Sequence, residues 1–187
     1  MKRNILLFTA IAVVSVPVVA SESNSFRLGG GYSQTDMDNS FQSSDYGSGF
    51  KLEFGYDVNP YIGIKLSYEQ NEGDMSFTDG SNYVKADFDG STFKGGFDLG
   101  YPLESAIGVF KPYVAIGLSS YSEDATLTGD ITGNTSASSS QLYYGVGARF
   151  TSSANVYLDL SYDLFEVEDS LSTYDFTQLG LTIGYQF

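Results

Sequence analysis

Apolar and polar positions alternate with a period of two along most of the chain after residue 25. This alternation is typical of β-strands that have one apolar face and one polar face. Eight segments show it, with apolar sets within residues 26–32, 46–56, 62–68, 93–101, 114–118, 142–150, 156–164 and 179–187. In the second segment, the alternation assigns Tyr46 to the same apolar face as Phe50. The pattern predicts an all-β protein of eight strands.

The connections between these segments differ in length. Residues 57–60 and 151–155 read as tight turns, and residues 102–111 form a longer connection of the same class. Four long polar stretches lie between them, at residues 36–45, 71–91, 122–140 and 166–175. Short turns at one end and long loops at the other are typical of outer-membrane barrels. We therefore expect a closed antiparallel transmembrane β-barrel with up-and-down strand order, and four extracellular loops.

The first twenty residues have the composition of a secretory signal. Lys2 and Arg3 precede a mostly apolar run, and a small-residue cleavage pattern ends at Ala20. The apolar run is shorter than the roughly 20 residues that a membrane-spanning helix needs. We expect residues 1–20 to be a signal peptide and residues 21–187 to be the barrel domain.

Composition excludes several kinds of function. The 187 residues contain no His and no Cys. Their absence excludes Ser-His-Asp triads, His-ligated zinc, thiolate metal sites and disulfides. The formal net charge is −14, and nucleic-acid binding needs a basic face. We expect neither a cofactor nor a nucleic-acid partner.

The polar faces of the predicted strands carry balanced charge, with five basic and five acidic residues in an otherwise acidic chain. Balance is required when a face is enclosed, because an unpaired buried charge is costly. We therefore place the polar face in the lumen and the apolar face against lipid. The predicted ion-pair network comprises Arg27, Lys51, Glu53, Lys65, Glu69, Lys94, Asp98, Arg149, Asp159 and Asp163. The alternative is a soluble, lipocalin-like ligand carrier with its apolar face turned inward.

The last strands carry a family resemblance. Residues 145–150, 157–162 and 180–187, together with the eight strands and the signal peptide, resemble the small eight-stranded outer-membrane barrel family that includes OmpX, Ail and the membrane domain of OmpA. The resemblance implies residence in the bacterial outer membrane, with its lipid and lipopolysaccharide as partners. It also implies that Tyr185 and Phe187 form the signal that the outer-membrane assembly machinery recognises. Outer-membrane barrel enzymes rely on a His, which this chain lacks, so we expect no enzymatic activity. We also expect the protein to be a monomer.

The four polar stretches hold fifteen acidic residues and one base, Lys85. Such a surface should repel polyanions, including lipopolysaccharide phosphates and heparin, unless divalent cations bridge them. Asp87 and Asp89 are the nearest candidate for a calcium site, although the remaining positions of an EF-hand loop are missing.

The predicted lumen is just wide enough for side chains, so we expect it to be largely plugged. The function predicted from the sequence is envelope structure, surface interaction or adhesion through the four stretches. The alternative within the same fold is a narrow, porin-like channel for ions or small solutes.

Overall fold

The computed structural model describes residues 24–39, 42–79, 82–130, 132–169 and 172–187. The expected signal peptide lies outside the described residues and stays a prediction. The strands are β1 (Ser25–Asn39), β2 (Gln42–Asp57), β3 (Ile62–Asp79), β4 (Asn82–Gly100), β5 (Leu103–Ser105), β6 (Gly108–Gly129), β7 (Gly133–Ser152), β8 (Val156–Asp169) and β9 (Ser172–Gln186). Eight of these strands are long, and β5 is a short piece in the connection between β4 and β6.

The eight long strands close into a barrel. Each pairs antiparallel with its neighbours along the chain, β4 pairs with β6, and β1 pairs with β9. Closure leaves no edge within the spanning region and satisfies the backbone groups that lipid could not. The prediction of a closed, eight-stranded antiparallel barrel with up-and-down order is confirmed. Within the described residues, no helix is long and apolar enough to cross a membrane.

The barrel is apolar outside and polar inside. Leu28, Phe97 and Ile183 expose 56%, 55% and 60% of their surface, whereas Arg27 and Asp98 are fully buried. A continuous exposed apolar surface of this kind is stable where lipid covers it. The predicted orientation of the two faces is confirmed, and the lipocalin-like alternative, which needs the opposite orientation, is wrong.

The four polar stretches are mostly strand, and their prediction as loops is wrong. The strands continue through most of residues 36–45, 71–91, 122–140 and 166–175 as paired hairpins. A strand outside the membrane needs no apolar outer face, so its outer positions become polar, as at Asp89 and Asp124. Pairing along the hairpin still satisfies its backbone groups. The short turns lie at the opposite, periplasmic end.

The barrel divides into two sheets above the lipid-facing band. Pairing between β7 and β8 ends at Tyr143 and Phe165, and pairing between β2 and β3 ends at Ser48 and Glu72. Beyond these points β3, β4, β6 and β7 form one sheet, and β8, β9, β1 and β2 form the other. We call the first sheet the upper sheet. It comprises residues 73–79, 82–90, 123–129 and 133–142.

The predicted position of Tyr46 on the lipid-facing side is wrong, because β2 contains a bulge at this residue. The register between β1 and β2 shifts between Thr35 and Asp36. The opposing Gly47 has a φ of +118°, which favours glycine because it has no Cβ. A bulge reverses the face to which the following residues point. Tyr46 therefore packs inside the barrel, against Phe176 at 5.1 Å between ring centroids, and does not join the lipid-facing set.

Candidate functional site

Glycines on the inner face make room for three buried tyrosine rings. Tyr157 lies against Gly29 and Gly184, Tyr113 against Gly147, and Tyr143 against Gly96 and Gly117. A Cβ at these glycines would collide with the facing ring or with neighbouring backbone. The glycine-rich inner face therefore surrounds a packed core rather than an open pore.

One group of ion pairs fills the periplasmic half of the lumen. This lower charge cluster comprises Arg27, Asp57, Asp98, Lys111, Arg149 and Asp159. Asp98 accepts hydrogen bonds from Lys111 at 2.8 Å and from Arg149 at 3.2 Å. Arg149 also donates to Asp159 at 2.9 Å, and Arg27 pairs with Asp57. The contacts join β1, β2, β4, β6, β7 and β8 across the lumen.

A second group lies above it. In this upper charge cluster, Lys94 contacts Asp163 at 2.5 Å and Glu69 at 3.0 Å. Lys51 lies 3.6 Å from Glu69 and 3.8 Å from Glu53, and it donates to Ser161 at 3.0 Å. All of these side chains are buried, so each charge depends on these partners rather than on water.

Lys65 does not form the ion pair that the sequence predicts. Among the described residues, no carboxylate lies within 4 Å of its ammonium group. Lys65 instead donates to the Tyr113 hydroxyl at 3.4 Å, and that hydroxyl donates to Asp159 at 2.7 Å. Tyr113 therefore links Lys65 to the lower charge cluster.

Sequence reasoning missed two members of the lower charge cluster, Asp57 and Lys111. The pattern predicts both in the connections at residues 57–60 and 102–111, yet Asp57 ends β2, and Lys111 lies in β6 and is 7% exposed. The alternation in β6 points inward at Tyr113 and Ala115, so extending it by one step would have found Lys111. With these two residues, the lumen holds six basic and six acidic side chains, counting both clusters and Lys65. The charge of the lumen is therefore still balanced.

A neutral layer separates the charges from the extracellular side. The Gln178 amide donates to Thr35 at 3.0 Å and to Thr92 at 3.1 Å. The first contact joins β9 to its neighbour β1, and the second joins β9 to β4 across the lumen. All three side chains are buried, so the lumen is also filled at this level.

Aromatic rings close the extracellular end of the lumen. We call Tyr46, Phe88, Tyr121, Phe165 and Phe176 the aromatic cluster. Their neighbouring ring centroids lie 5.1–6.5 Å apart. The hydroxyls of Tyr46 and Tyr121 both donate to Glu123, the latter at 2.5 Å. Burial, with the nearby Tyr46 and Glu123, raises the pKa of Tyr121.

This cluster is absent from the sequence prediction because the predicted strands end before its residues. Phe165 and Phe176 occupy inward positions when the alternation of β8 and β9 is continued. Phe88 and Tyr121 do so on β4 and β6. Only the inward position of Tyr46 cannot be found by continuing the alternation, because the bulge reverses it.

The acidic outer face lies above the lipid-facing band. Glu72, Asp89 and Asp124 stand directly across from one another on β3, β4 and β6. They line a groove of about 430 Å³ together with Tyr68, Gln70, Gly90, Ser91, Ser122, Glu123, Ser136, Ala137 and Ser138.

The calcium candidate gains no support from this arrangement. Asp87 pairs with Lys85, and Asp89 lies in the groove. In the described part of the chain, no three acidic side chains are grouped closely enough to hold a metal ion.

The two residues of the expected assembly signal lie at the end of β9. The rings of Tyr185 and Phe187 meet edge to face at 5.0 Å. The backbone of Phe187 bonds to that of Phe26 and closes the barrel seam. Recognition of these residues by the assembly machinery stays a prediction.

Comparisons with known proteins agree with this architecture. The family model described as "Outer membrane protein beta-barrel domain" matches residues 6–187. Comparison with curated protein sequences gave no match. Among solved structures, Ail of Yersinia pestis is 21% identical with a TM-score of 0.63, over 89% of this chain and 99% of Ail.

Two further structures are similar. OprG from Pseudomonas aeruginosa is 13% identical with a TM-score of 0.59, over 88% of this chain and 96% of OprG. Neisserial surface protein A is 18% identical with a TM-score of 0.57, over 89% of this chain and 100% of that protein. At these identities the likeness shows the fold alone. Because the family match spans almost the whole sequence, the chain belongs to the outer membrane protein beta-barrel domain family and is a protein of the bacterial outer membrane.

Proposed function

We propose that the protein is a surface-interaction barrel that binds an extended segment of a partner protein along the β7 edge of its upper sheet. The observation that carries this proposal is the pairing of β7. Residues 133–142 pair with β6 on one side, and among the described residues no strand pairs with their other side. These residues are exposed or half-buried.

An unpaired edge offers backbone donors and acceptors to another strand. Main-chain hydrogen bonds supply affinity in this mode of recognition, and alternate side chains supply specificity. Proteins commonly protect edges with charge, proline or covering loops. Residues 133–142 contain no charged residue and no proline, so the edge is open to pairing.

The acidic outer face predicts the charge of the partner. An incoming strand would lie about 10 Å, two strand spacings, from β6, a distance that a Lys or Arg side chain and Asp124 span together. The outer face beyond Asp124 continues with Asp89 and Glu72, and Lys85 is already paired with Asp87. We therefore infer an extended segment with basic residues at alternate positions.

A polyanionic partner is disfavoured by the same charges. Ail has been solved in complex with the heparin analogue sucrose octasulfate. The outer face at this groove carries the carboxylates of Glu72, Asp89 and Asp124, and no basic side chain among the described residues lines the groove, so it would repel a sulfated ligand.

A channel is the second candidate function, and the filled lumen weighs against it. Ion pairs, the Gln178 layer and the aromatic cluster occupy successive levels, and eight-stranded barrels have little interior space. Planar-bilayer recording tests this alternative: we expect no conductance steps from the folded protein. Steady steps that change in an Arg149→Ala variant would favour the channel.

Other parts of the proposal rest on the sequence. They are removal of residues 1–20 as a signal peptide, targeting through Tyr185 and Phe187, a monomeric state, contact with lipid and lipopolysaccharide, and the absence of enzymatic activity. Family membership supports the targeting and the lipid contact.

The docking proposal can be tested with a defined probe. A ten-residue peptide that alternates Lys and Val should bind the refolded protein, and binding should weaken as salt rises. Bound peptide should slow hydrogen exchange of the amides in residues 133–142. The matched peptide that alternates Glu and Val should not bind; equal binding of both peptides would contradict the proposal.

A pair of proline variants on β7 provides a matched control. Backbone groups of adjacent residues point to opposite sides of a strand, so Ala137→Pro and Ser138→Pro remove donors from opposite sides. The variant that loses a bond to β6 should be less stable. The other should keep its stability and bind the Lys peptide about fivefold more weakly, the value of one hydrogen bond. Unchanged affinity in both variants would refute edge docking.

A further inference from the structure

A short hairpin extends the periplasmic end of the barrel. β5, Leu103–Ser105, pairs with Gly108–Phe110 of β6 and with no other strand in the described part of the chain. The hairpin exposes two apolar side chains, Leu103 by 49% and Ile107, in its turn, by 71%. Glu104 is also exposed, and it points to the side of β5 opposite to Leu103.

The apolar side of this hairpin is continuous with the lipid-facing band. Leu103 stands directly across from Phe110, so their side chains share a face. Phe110 lies on the outer face of β6, because the adjacent Lys111 points into the lumen. The same outer face includes Leu99, near the end of β4, and Tyr101, directly after it. The hairpin thus continues the surface that lipid already covers.

The hairpin follows a pair of exposed tyrosines at the periplasmic end of the lipid-facing band. Tyr61 and Tyr101 are both exposed, and their ring centroids lie 5.9 Å apart. Aromatic residues at this level mark the boundary between acyl chains and headgroups. Leu103 and Ile107 follow Tyr101 in the chain and continue toward the periplasm beside β6, on one side of the barrel.

We propose that the hairpin is an interfacial anchor that inserts Leu103 and Ile107 into the headgroup region of the periplasmic leaflet. The occupant is phospholipid, because the apolar surface of the hairpin continues the lipid-facing band without interruption. Interfacial segments bury apolar side chains roughly 5–10 Å into the headgroup and acyl boundary. A contact on one side would fix the depth and tilt of the barrel. The proposal does not depend on docking at β7.

The absence of Trp from the sequence makes the inference directly testable. Leu103→Trp and Ile107→Trp each introduce a single fluorophore at an exposed position. The variants are refolded into phosphatidylcholine vesicles whose acyl chains carry bromine, a quencher, at a shallow or a deep position. Phe97→Trp, in the middle of the lipid-facing band, and Tyr83→Trp, on the upper sheet, are the matched controls.

We expect both hairpin variants to show blue-shifted emission and to lose more fluorescence with shallow bromine than with deep bromine. Phe97→Trp should show the opposite order, and Tyr83→Trp should show little loss with either lipid. Emission of both hairpin variants like that of Tyr83→Trp would overturn the proposal. Blue-shifted emission that neither lipid quenches would place the hairpin against a second copy of the chain, and would also overturn it.

Discussion

The lower charge cluster and the aromatic cluster fill opposite ends of the same lumen by different physics. In the lower half, hydrogen-bonded strands surround the charges on all sides, and buried charge is tolerated because each group meets opposite charge. At the extracellular end the barrel wall splits into two sheets. There the space is filled by apolar rings, and a single carboxylate, Glu123, accepts from Tyr46 and Tyr121.

The two clusters also connect different parts of the wall. The lower cluster joins strands that are already linked by a continuous backbone ladder. The aromatic cluster joins the two separated sheets, with Phe88 and Tyr121 on one side and Phe165 and Phe176 on the other. We therefore expect loss of an ion-pair partner to destabilise the whole barrel. Loss of an aromatic ring should mainly loosen the upper sheet.

The largest expected effect is that of Arg149→Ala. The change leaves Asp159 without the one ion-pair partner it has among the described residues. It also removes one of the three basic partners of Asp98, which keeps Arg27 and Lys111. Removing one partner of a buried pair costs about 3–5 kcal/mol. The measurement is the free energy of unfolding in urea from lipid vesicles. Lys85→Ala breaks an exposed ion pair and should not measurably change the free energy of unfolding. Equal losses of stability in the two variants would refute the idea that enclosure in the lumen makes the Arg149 ion pairs important.

Phe176→Ala should have the next largest effect. The ring packs against Tyr46, Tyr121 and Phe165, and truncating a buried Phe costs about 3 kcal/mol. Hydrogen exchange should accelerate in residues 133–142 but not at the level of Arg149. Tyr83→Ala, at an exposed ring, is the control. Uniform acceleration along the barrel would contradict the separate roles of the two clusters.

Adjacent glycines in β1 sharpen the contrast between inner and outer surfaces. A Cβ at Gly29 would collide with Tyr157 and with the Ile183 carbonyl at 2.8 Å, whereas a Cβ at Gly30 meets nothing closer than 3.7 Å. Gly29→Ala should cost about 1–3 kcal/mol through overpacking. Gly30→Ala should be neutral or slightly stabilising. Similar unfolding midpoints for the two variants would show that the lumen has spare room.

The smallest effect concerns pH. The pKa of Tyr121 is raised in the folded state, so the unfolded chain loses this proton first, above about pH 10. The folded state should therefore lose stability as pH rises beyond that value. Tyr121→Phe, which also removes one hydrogen bond worth about 1 kcal/mol, should reduce the slope. A slope identical to that of the parent protein would contradict the burial of this hydroxyl.

Local alternation was enough to predict the two faces of the barrel. Successive side chains of a strand point to opposite sides, so the sequence alone assigned Arg27 and Lys94 to the lumen and Leu28 and Phe93 to lipid. The neutral sum of the inward charges identified the enclosed face, because an enclosed charge requires a partner. Strand number and closure followed from the same repeats.

Only the tertiary structure decided which inward residues meet. The register between strands that are distant in sequence brings Arg149 to Asp98 and gives Lys65 a tyrosine instead of a carboxylate. A one-residue bulge turns Tyr46 inward. Above the lipid-facing band, the apolar side chains of the extended strands, such as Ala86, Tyr121 and Ala125, face the interior instead of lipid. These outcomes depend on contacts between strands, and a pattern with a period of two describes one strand at a time.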